Sequence, residues 1–305
     1  MRKEELKQAI QEEKQKRGVT VLAHTYQEPD VIDIADVTGD SFALAQAVQS
    51  LSAETVLLCG VRFMAETVKM LSPEKRVLIS HKSATCPMAE QIAPQRVAVF
   101  KKEHPDYAVC AYINTTAALK AECDVCVTSS SAVKILSRMP EKNILFIPDR
   151  NLGGFVKSKL PEKNIVLWDG FCPVHQQVTP ADLLPLKETY PGARIAMHPE
   201  CPKEALALAD MVGSTSAIME YCLQETGDVI IVTERGVADY LNREYPNRRF
   251  IQAAPEKLIC ADMKKTTLQG VYDALTGAGS CEIDLPEPLR LRARKPIDRM
   301  LEYGG

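Results

Sequence analysis

Short apolar runs recur along this chain at near-regular intervals, separated by longer stretches in which apolar residues return at helical spacing. The clearest runs are Val19-Thr-Val-Leu-Ala23, Ala108-Val-Cys-Ala111 and Ala193-Arg-Ile-Ala-Met197. Further runs lie at Thr55 to Cys59, Asn143 to Ile147 and Asp228 to Val232, then at Arg76 to Ile79, Asn164 to Trp168 and Arg249 to Ala253. Continuous apolar runs of this length predict strands buried on both faces. After each first strand a helical stretch ends in Ala-Asp or Cys-Asp. A second short strand follows, then a hydroxyl residue that opens a periodic helix at Phe42 to Val48, Ser131 to Leu136 and Ser216 to Cys222. Ser41, Ser129 and Thr215 are expected at or beside the N-caps. Alternating strands and helices of this kind imply an α/β fold of parallel sheets, with the functional loops at the carboxyl ends of the strands.

The pattern repeats three times. His24, Tyr112 and His198 each precede an Asp by twelve positions (Asp36, Asp124, Asp210), and Ser41, Ser129 and Thr215 follow that Asp by five. Cys86, Cys172 and Cys260 recur with the same period, at offsets of 86 and 88. This predicts repeat units over residues 1–90, 91–176 and 177–262, and a C-terminal helical segment, 263–305, packing back on them. Closed repeats tend to pack about an axis, so the expected architecture is three pseudo-threefold-related αβα sandwich domains with one thiol from each at a shared centre. Asp36, Asp124 and Asp210 fit a local cap or turn as well as they fit a site role.

Composition narrows the function classes. Lys and Arg number 37 against 40 Asp and Glu, with no basic block, which argues against nucleic acid or an anionic membrane as partner. Residues 1–18 are strongly charged, as a signal peptide or anchor is not, and no apolar run reaches the about 18 residues of a membrane helix. A cytosolic protein acting on small molecules is the expectation. Ten cysteines in a reducing compartment then read as metal ligands or small buried hydrophobes rather than disulfides.

The cysteines sort by their repeat partners. Cys123 and Cys126 form a CxxC, but they match Ala35 and Ala209, and Thr38 and Val212, with no second CxxC to complete a zinc site. Cys59, Cys110, Cys201 and Cys222 also lack partners and read as apolar filling. Cys281 lies outside the repeats. Cys86, Cys172 and Cys260 alone recur, two of them in Cys-Pro turns. Structural zinc wants a fourth protein ligand, whereas three soft thiolates on a four-iron cube leave one iron open as a Lewis acid. That chemistry suits a carbon–carbon-forming enzyme, a hydratase acting on a hydroxy acid, or a sensor with a structural cluster. No CxxxCxxC is present for a radical enzyme that uses S-adenosylmethionine.

Longer motifs decide among these. Ala23-His24-x-Tyr26-Gln27, Asp33-Ile-Ala-Asp36-x-x-Gly39-Asp40-Ser41, Ser83-Ala-Thr-Cys86-Pro87-Met88, Pro148-Asp-Arg-Asn-Leu-Gly153, Cys172-Pro-Val-His175-Gln176, His198-Pro-Glu-Cys201-Pro202 and Gly213-Ser-Thr-Ser216 occur in order. Together they resemble the quinolinate synthase family from about Val21 to the last helix. The resemblance implies a transferase of NAD biosynthesis that condenses iminoaspartate (iminosuccinate) with dihydroxyacetone phosphate, releasing phosphate and two waters. It implies a [4Fe–4S] cluster on Cys86, Cys172 and Cys260, and functional coupling to L-aspartate oxidase or aspartate dehydrogenase, which make the imine. His24, Ser41, Tyr112, Ile113, Asn114, Ser129, His198, Pro199, Glu200 and Thr215 are the implied substrate contacts. Tyr26, Glu200, His24, His175 and His198 are the implied proton-transfer groups. Some family members carry a CxxCxxC run where this chain has Cys260-Ala-Asp-Met263, so redox control through extra thiols is not expected. His81 and His104 have no matching partners and are given no role.

Overall fold

The expected parallel strands form, and they form the same sheet three times. The structure, a computed structural model, describes residues 2–278 and 281–304. The first sheet holds β1 (Val19–His24), β2 (Val37–Gly39), β3 (Thr55–Cys59) and β4 (Arg76–Ile79). The second holds β5 (Tyr107–Tyr112), β6 (Val125–Val127), β7 (Asn143–Ile147) and β8 (Asn164–Leu167). The third holds β9 (Arg194–Met197), β10 (Met211–Val212), β11 (Val229–Val232) and β12 (Phe250–Gln252). Strand orders β4-β3-β1-β2, β8-β7-β5-β6 and β12-β11-β9-β10 are one topology, all parallel. Helices between the strands bury Val, Leu and Ile against them, giving an α/β fold of three αβα layers.

The C-terminal segment departs from the expectation of helix alone. Its helices Leu268–Thr276 and Glu287–Gly304 flank β13 (Cys281–Glu282), which pairs antiparallel with β4 at the edge of the first sheet. Two residues carry no periodicity, so a strand this short is invisible to pattern reading. The chain packs as two compact units, residues 1–86 with 260–294, and residues 87–259 with 295–305. The first sheet belongs to one, the second and third sheets to the other.

The recurrent aspartates are structural. Asp36 accepts from the Val21 amide at 2.7 Å, Asp124 from Val109 at 2.8 Å and Asp210 from Ile195 at 2.8 Å. In each case the backbone N–H of the Asp returns a bond to the carbonyl of that same strand residue. This pins the crossover from the first strand to the second. A cation completes each clamp: Lys14 on Asp36 at 2.8 Å, Lys101 on Asp124 at 2.7 Å and Arg194 on Asp210 at 3.0 Å.

A second threefold device escaped sequence reading. Lys75 bridges the carbonyls of Leu51 and Ala53, Lys163 those of Met139 and Glu141, and Arg248 those of Cys222 and Glu225. Each cation sits just before the last strand of its sheet and meets the electronegative end of the periodic helix. Arg replaces Lys in the third copy, so identity matching misses the equivalence while charge preserves it.

The helix starts show one further difference. Asp40 and Ser214 cap helices Ser41–Ser50 and Thr215–Gln224, placing Ser41 and Thr215 at the first helical position. Ser129 lies outside its helix, which starts at Ala132. Thr128 and Ser131 donate their amides to each other's hydroxyls at 3.0 and 3.1 Å, and this closed turn occupies the residues that would otherwise extend the helix.

Asp124→Ala should lower the unfolding free energy by about 1–3 kcal/mol, the scale of leaving a buried donor unpaired, because it removes the acceptor of Val109 N–H. Urea denaturation of Asp36→Ala, Asp124→Ala and Asp210→Ala, monitored by circular dichroism, checks this. A loss below about 0.5 kcal/mol in all three would show the clamps to be dispensable.

Candidate active site

The second compact unit gathers its chemistry at the carboxyl ends of two sheets. Tyr112 ends β5, His198 follows β9 directly, and Cys172 lies in the loop after β8. A 3₁₀ turn, His175–Gln177, follows that loop and turns His175 inward. At its centre Glu200 Oε2 lies 2.9 Å from His175 Nδ1 and 3.9 Å from His198 Nδ1, and all three residues are buried. The two imidazoles stack with centroids 4.9 Å apart. Cys172 Sγ is 3.3 Å from His175 Nδ1, so Cys172, His175 and Glu200 place a sulfur, a nitrogen and an oxygen within 4.8 Å of one another. Such a set can hold a metal ion.

Electrostatics fixes the protonation states. Burial favours the neutral form of Glu200, but the charges of His198 and His175 and hydrogen bonds from His175 and Tyr112 outweigh it and hold the pKa at about 2. Asp149, wholly buried, moves the other way. Burial and the neighbouring Glu200 charge raise it well above the usual carboxylate range despite amide donors from Leu152, Cys172 and Asn151. His175 Nε2 lies 3.0 Å from the buried Thr233 hydroxyl. With Nδ1 on the Glu200 carboxylate, Nε2 is left to the Thr233 hydroxyl.

The first unit holds its own set. Tyr26 donates its amide to His24 Nδ1 at 3.1 Å, as Glu200 donates to His198 Nδ1 at 3.4 Å. Both rings, when neutral, therefore carry the proton on Nε2 and donate from it. The His24 and Tyr26 rings meet edge to face at 4.5 Å. Asp262 accepts from the Thr85 amide at 3.3 Å, and Lys265 bonds Asp262 at 2.6 Å and the Ser83 carbonyl at 2.7 Å, tying together the loops of Cys86 and Cys260. Lys264 donates to the Tyr26 carbonyl at 2.6 Å.

Of the expected site residues, the structure brings Tyr112, Cys172, His175, His198 and Glu200 together. Ile113 and Asn114 follow β5, Ser129 lies in the turn after β6, Pro199 lies between His198 and Glu200, and Thr215 opens its helix. His24, Tyr26, Ser41, Cys86 and Cys260 belong to the first unit. Asp149, Asn151 and Thr233 were missed as site residues. The first two lie in the Pro148-to-Gly153 motif, whereas Thr233 has no hydroxyl partner in the repeats and left no signal.

Thiol environments also divide. Cys86, Cys172 and Cys260 are half-buried, while Cys59, Cys110, Cys123, Cys126, Cys201 and Cys222 are buried and burial raises the pKa of each. Cys126 lies within β6 and the Cys123 thiol donates to the Leu119 carbonyl at 3.1 Å, so the CxxC is core.

The model of the quinolinate synthetase A protein family matches residues 8–302. The chain belongs to this family. It is 43% identical over 310 aligned positions to the quinolinate synthase of Aquifex aeolicus (strain VF5), covering 98% of this chain and 95% of that protein. It is 43% identical over 297 positions to that of Methanoregula boonei, covering 97% of both chains, and 41% identical over 301 positions to that of Clostridium acetobutylicum, covering 98% of both. Among the described residues no helix is long and apolar enough to cross a membrane.

Brief alkylation of the metal-free native protein with iodoacetamide should label Cys86, Cys172 and Cys260 at least about tenfold faster than the six core thiols, since only accessible thiolate reacts. Peptide mass spectrometry reads the order. Early labelling of Cys123 or Cys126 would return the CxxC to consideration.

Proposed function

We propose that this protein is a quinolinate synthase, condensing iminosuccinate with dihydroxyacetone phosphate to give quinolinate, phosphate and two waters. The observation that carries the reading is the buried Glu200–His175 pair beside Cys172 in a chain of this family. In this reading residues 1–90, 91–176 and 177–262 act as three repeat units that each supply one thiol, with 263–305 packed back on them.

Cys86, Cys172 and Cys260 would hold a [4Fe–4S] cluster. The donor set fits: these are the half-buried loop thiols, and the imidazole against Cys172 favours its thiolate. When bound, a cluster with three protein ligands supplies an open iron as Lewis acid for a carboxylate or hydroxyl.

The chain's own groups do the rest. His24 and His198 donate from Nε2, and Asn114, Tyr112, Ser41, Ser129 and Thr215 offer further donors for the carboxylates of the imine. The backbones of Ile113 and Pro199 set the shape of the loops that carry them. Glu200, ionised beside two imidazoles, can take a proton from substrate while His175 Nδ1 donates to its carboxylate and holds it in place. Tyr26 sits in the first unit where Glu200 sits in the third, two residues past a histidine, and can return a proton to a departing hydroxyl. Asn114, the corresponding residue of the second unit, binds a carboxylate but moves no proton. The setting is cytosolic, supplied with imine by L-aspartate oxidase or aspartate dehydrogenase.

Anaerobically reconstituted protein, given dihydroxyacetone phosphate and iminosuccinate generated from oxaloacetate and ammonia, should form quinolinate. Omitting the triose phosphate should abolish the product. A hydratase would instead consume a hydroxy acid without it, and no quinolinate under full conditions would refute the proposal. Cys86→Ala, Cys172→Ala and Cys260→Ala should each lose iron and sulfide, whereas Cys123→Ser and Cys126→Ser should keep both. Glu200→Gln and Tyr26→Phe should retain the cluster while turnover falls by about 10² or more. Asn114→Ala should raise KM for the imine more than it lowers kcat.

A further inference from the structure

The segment Pro148 to Gly153 holds no residue with a role in the chemistry above, yet it bonds to the Cys172 loop, to the turn that carries His175 and to the turn that carries Glu200. It follows the end of β7 and includes the start of helix Arg150–Lys159. Asp149 caps that helix through the Leu152 amide at 2.7 Å and accepts the Cys172 amide at 2.9 Å. The Arg150 amide donates to the Gly170 carbonyl at 2.8 Å, and its guanidinium lies 4.6 Å from the centre of the Phe171 ring. A Cβ on Gly170 would stand 2.4 Å from the Pro148 carbonyl oxygen, so the two backbones touch where only glycine fits.

Asn151 is the junction. Its Nδ2 lies 2.9 Å from Gln176 Oε1 and 2.9 Å from the Glu200 backbone carbonyl. A carbonyl only accepts, which fixes the atom facing it as the amide nitrogen and assigns one of its two hydrogens to each partner. Gln176 adjoins His175 on the same turn, so one NH₂ group joins the turn that carries the imidazole to the turn that carries the carboxylate. The His175–Glu200 separation of 2.9 Å depends on those two turns keeping their spacing.

We propose that Asn151 is a positioning residue that sets the His175–Glu200 contact, and so acts on the reaction only through that pair. The inference rests on the proton-transfer role given to Glu200 above, and the test separates the two. Asn151→Asp keeps shape but presents only acceptors to the Glu200 carbonyl. It and Asn151→Ala should lower kcat by about 10–100-fold with KM for either substrate within about threefold. Gln176→Glu keeps an acceptor for Nδ2 and should stay within about threefold of wild type.

The decisive measurement is a double-mutant cycle. If Asn151 works through Glu200, the Asn151→Ala/Glu200→Gln double variant should be no slower than Glu200→Gln alone. Multiplying penalties would overturn the proposal, because an independent structural role adds. A Glu200→Gln variant with full activity would instead defeat the role of Glu200. For that case ¹⁵N-histidine NMR of the metal-free protein tests Asn151 independently. The Nδ1 resonance of His175, assigned by its loss in His175→Gln, should move in Asn151→Ala toward its position in Glu200→Gln. An unmoved resonance in folded protein would refute the positioning claim without reference to catalysis.

Discussion

A carboxylate enclosed by protein keeps its charge only if donors and positive charge surround it, and Glu200 meets that condition through the charges of His198 and His175 and hydrogen bonds from His175 and Tyr112. The requirement governs the second unit. It demands that the ends of β5 and β9 and the turn after β8 converge, since Tyr112, His198 and His175 arrive on those separate segments. It also explains the opposite fate of Asp149. Two adjacent buried carboxylates cannot both ionise cheaply, so the one with imidazole partners takes the charge and the one with only amide donors is driven upward. Two neighbouring carboxyl groups are therefore pushed in opposite directions, separated by environment rather than by residue type.

The repeated framework lets such a site exist. In all three sheets an aspartate pins the first crossover and a cation bridges the end of the periodic helix, each using groups remote from the strand ends that carry the chemistry. Because stability is supplied there, the positions two residues past His24, Tyr112 and His198 are free to diverge into Tyr26, Asn114 and Glu200. The histidine–amide contact repeats in the first and third copies, but only in the third does the residue that donates the amide also supply a carboxylate to a second imidazole.

The sequence made the strands legible because each is a continuous apolar run, and the threefold register legible because His24, Tyr112 and His198 keep one spacing to their aspartates. Cys86, Cys172 and Cys260 were separable from the other thiols on the same ground. Properties held by geometry alone stayed hidden. β13 is too short to show a period, and the Lys75–Lys163–Arg248 device changes residue type between copies. The regular aspartates were visible but ambiguous, since spacing cannot tell an amide clamp from a substrate contact. Thr233 was unreadable because its partner, His175, lies 58 residues away.

What remained open in the sequence was how each imidazole is held, and the partners of the ring nitrogens differ between them. His24 and His198 each accept a backbone amide at Nδ1, which commits the neutral ring to donating from Nε2. His175 is held differently, with Nδ1 on Glu200 and Nε2 on a hydroxyl that can either give or take a hydrogen bond. Its Nδ1 also faces Cys172 Sγ at 3.3 Å, so one ring ties a carboxylate, a thiol and a hydroxyl together. His175 therefore joins side chains from separate segments of the chain, whereas the Nδ1 atoms of His24 and His198 each take an amide of the turn that follows their own strand.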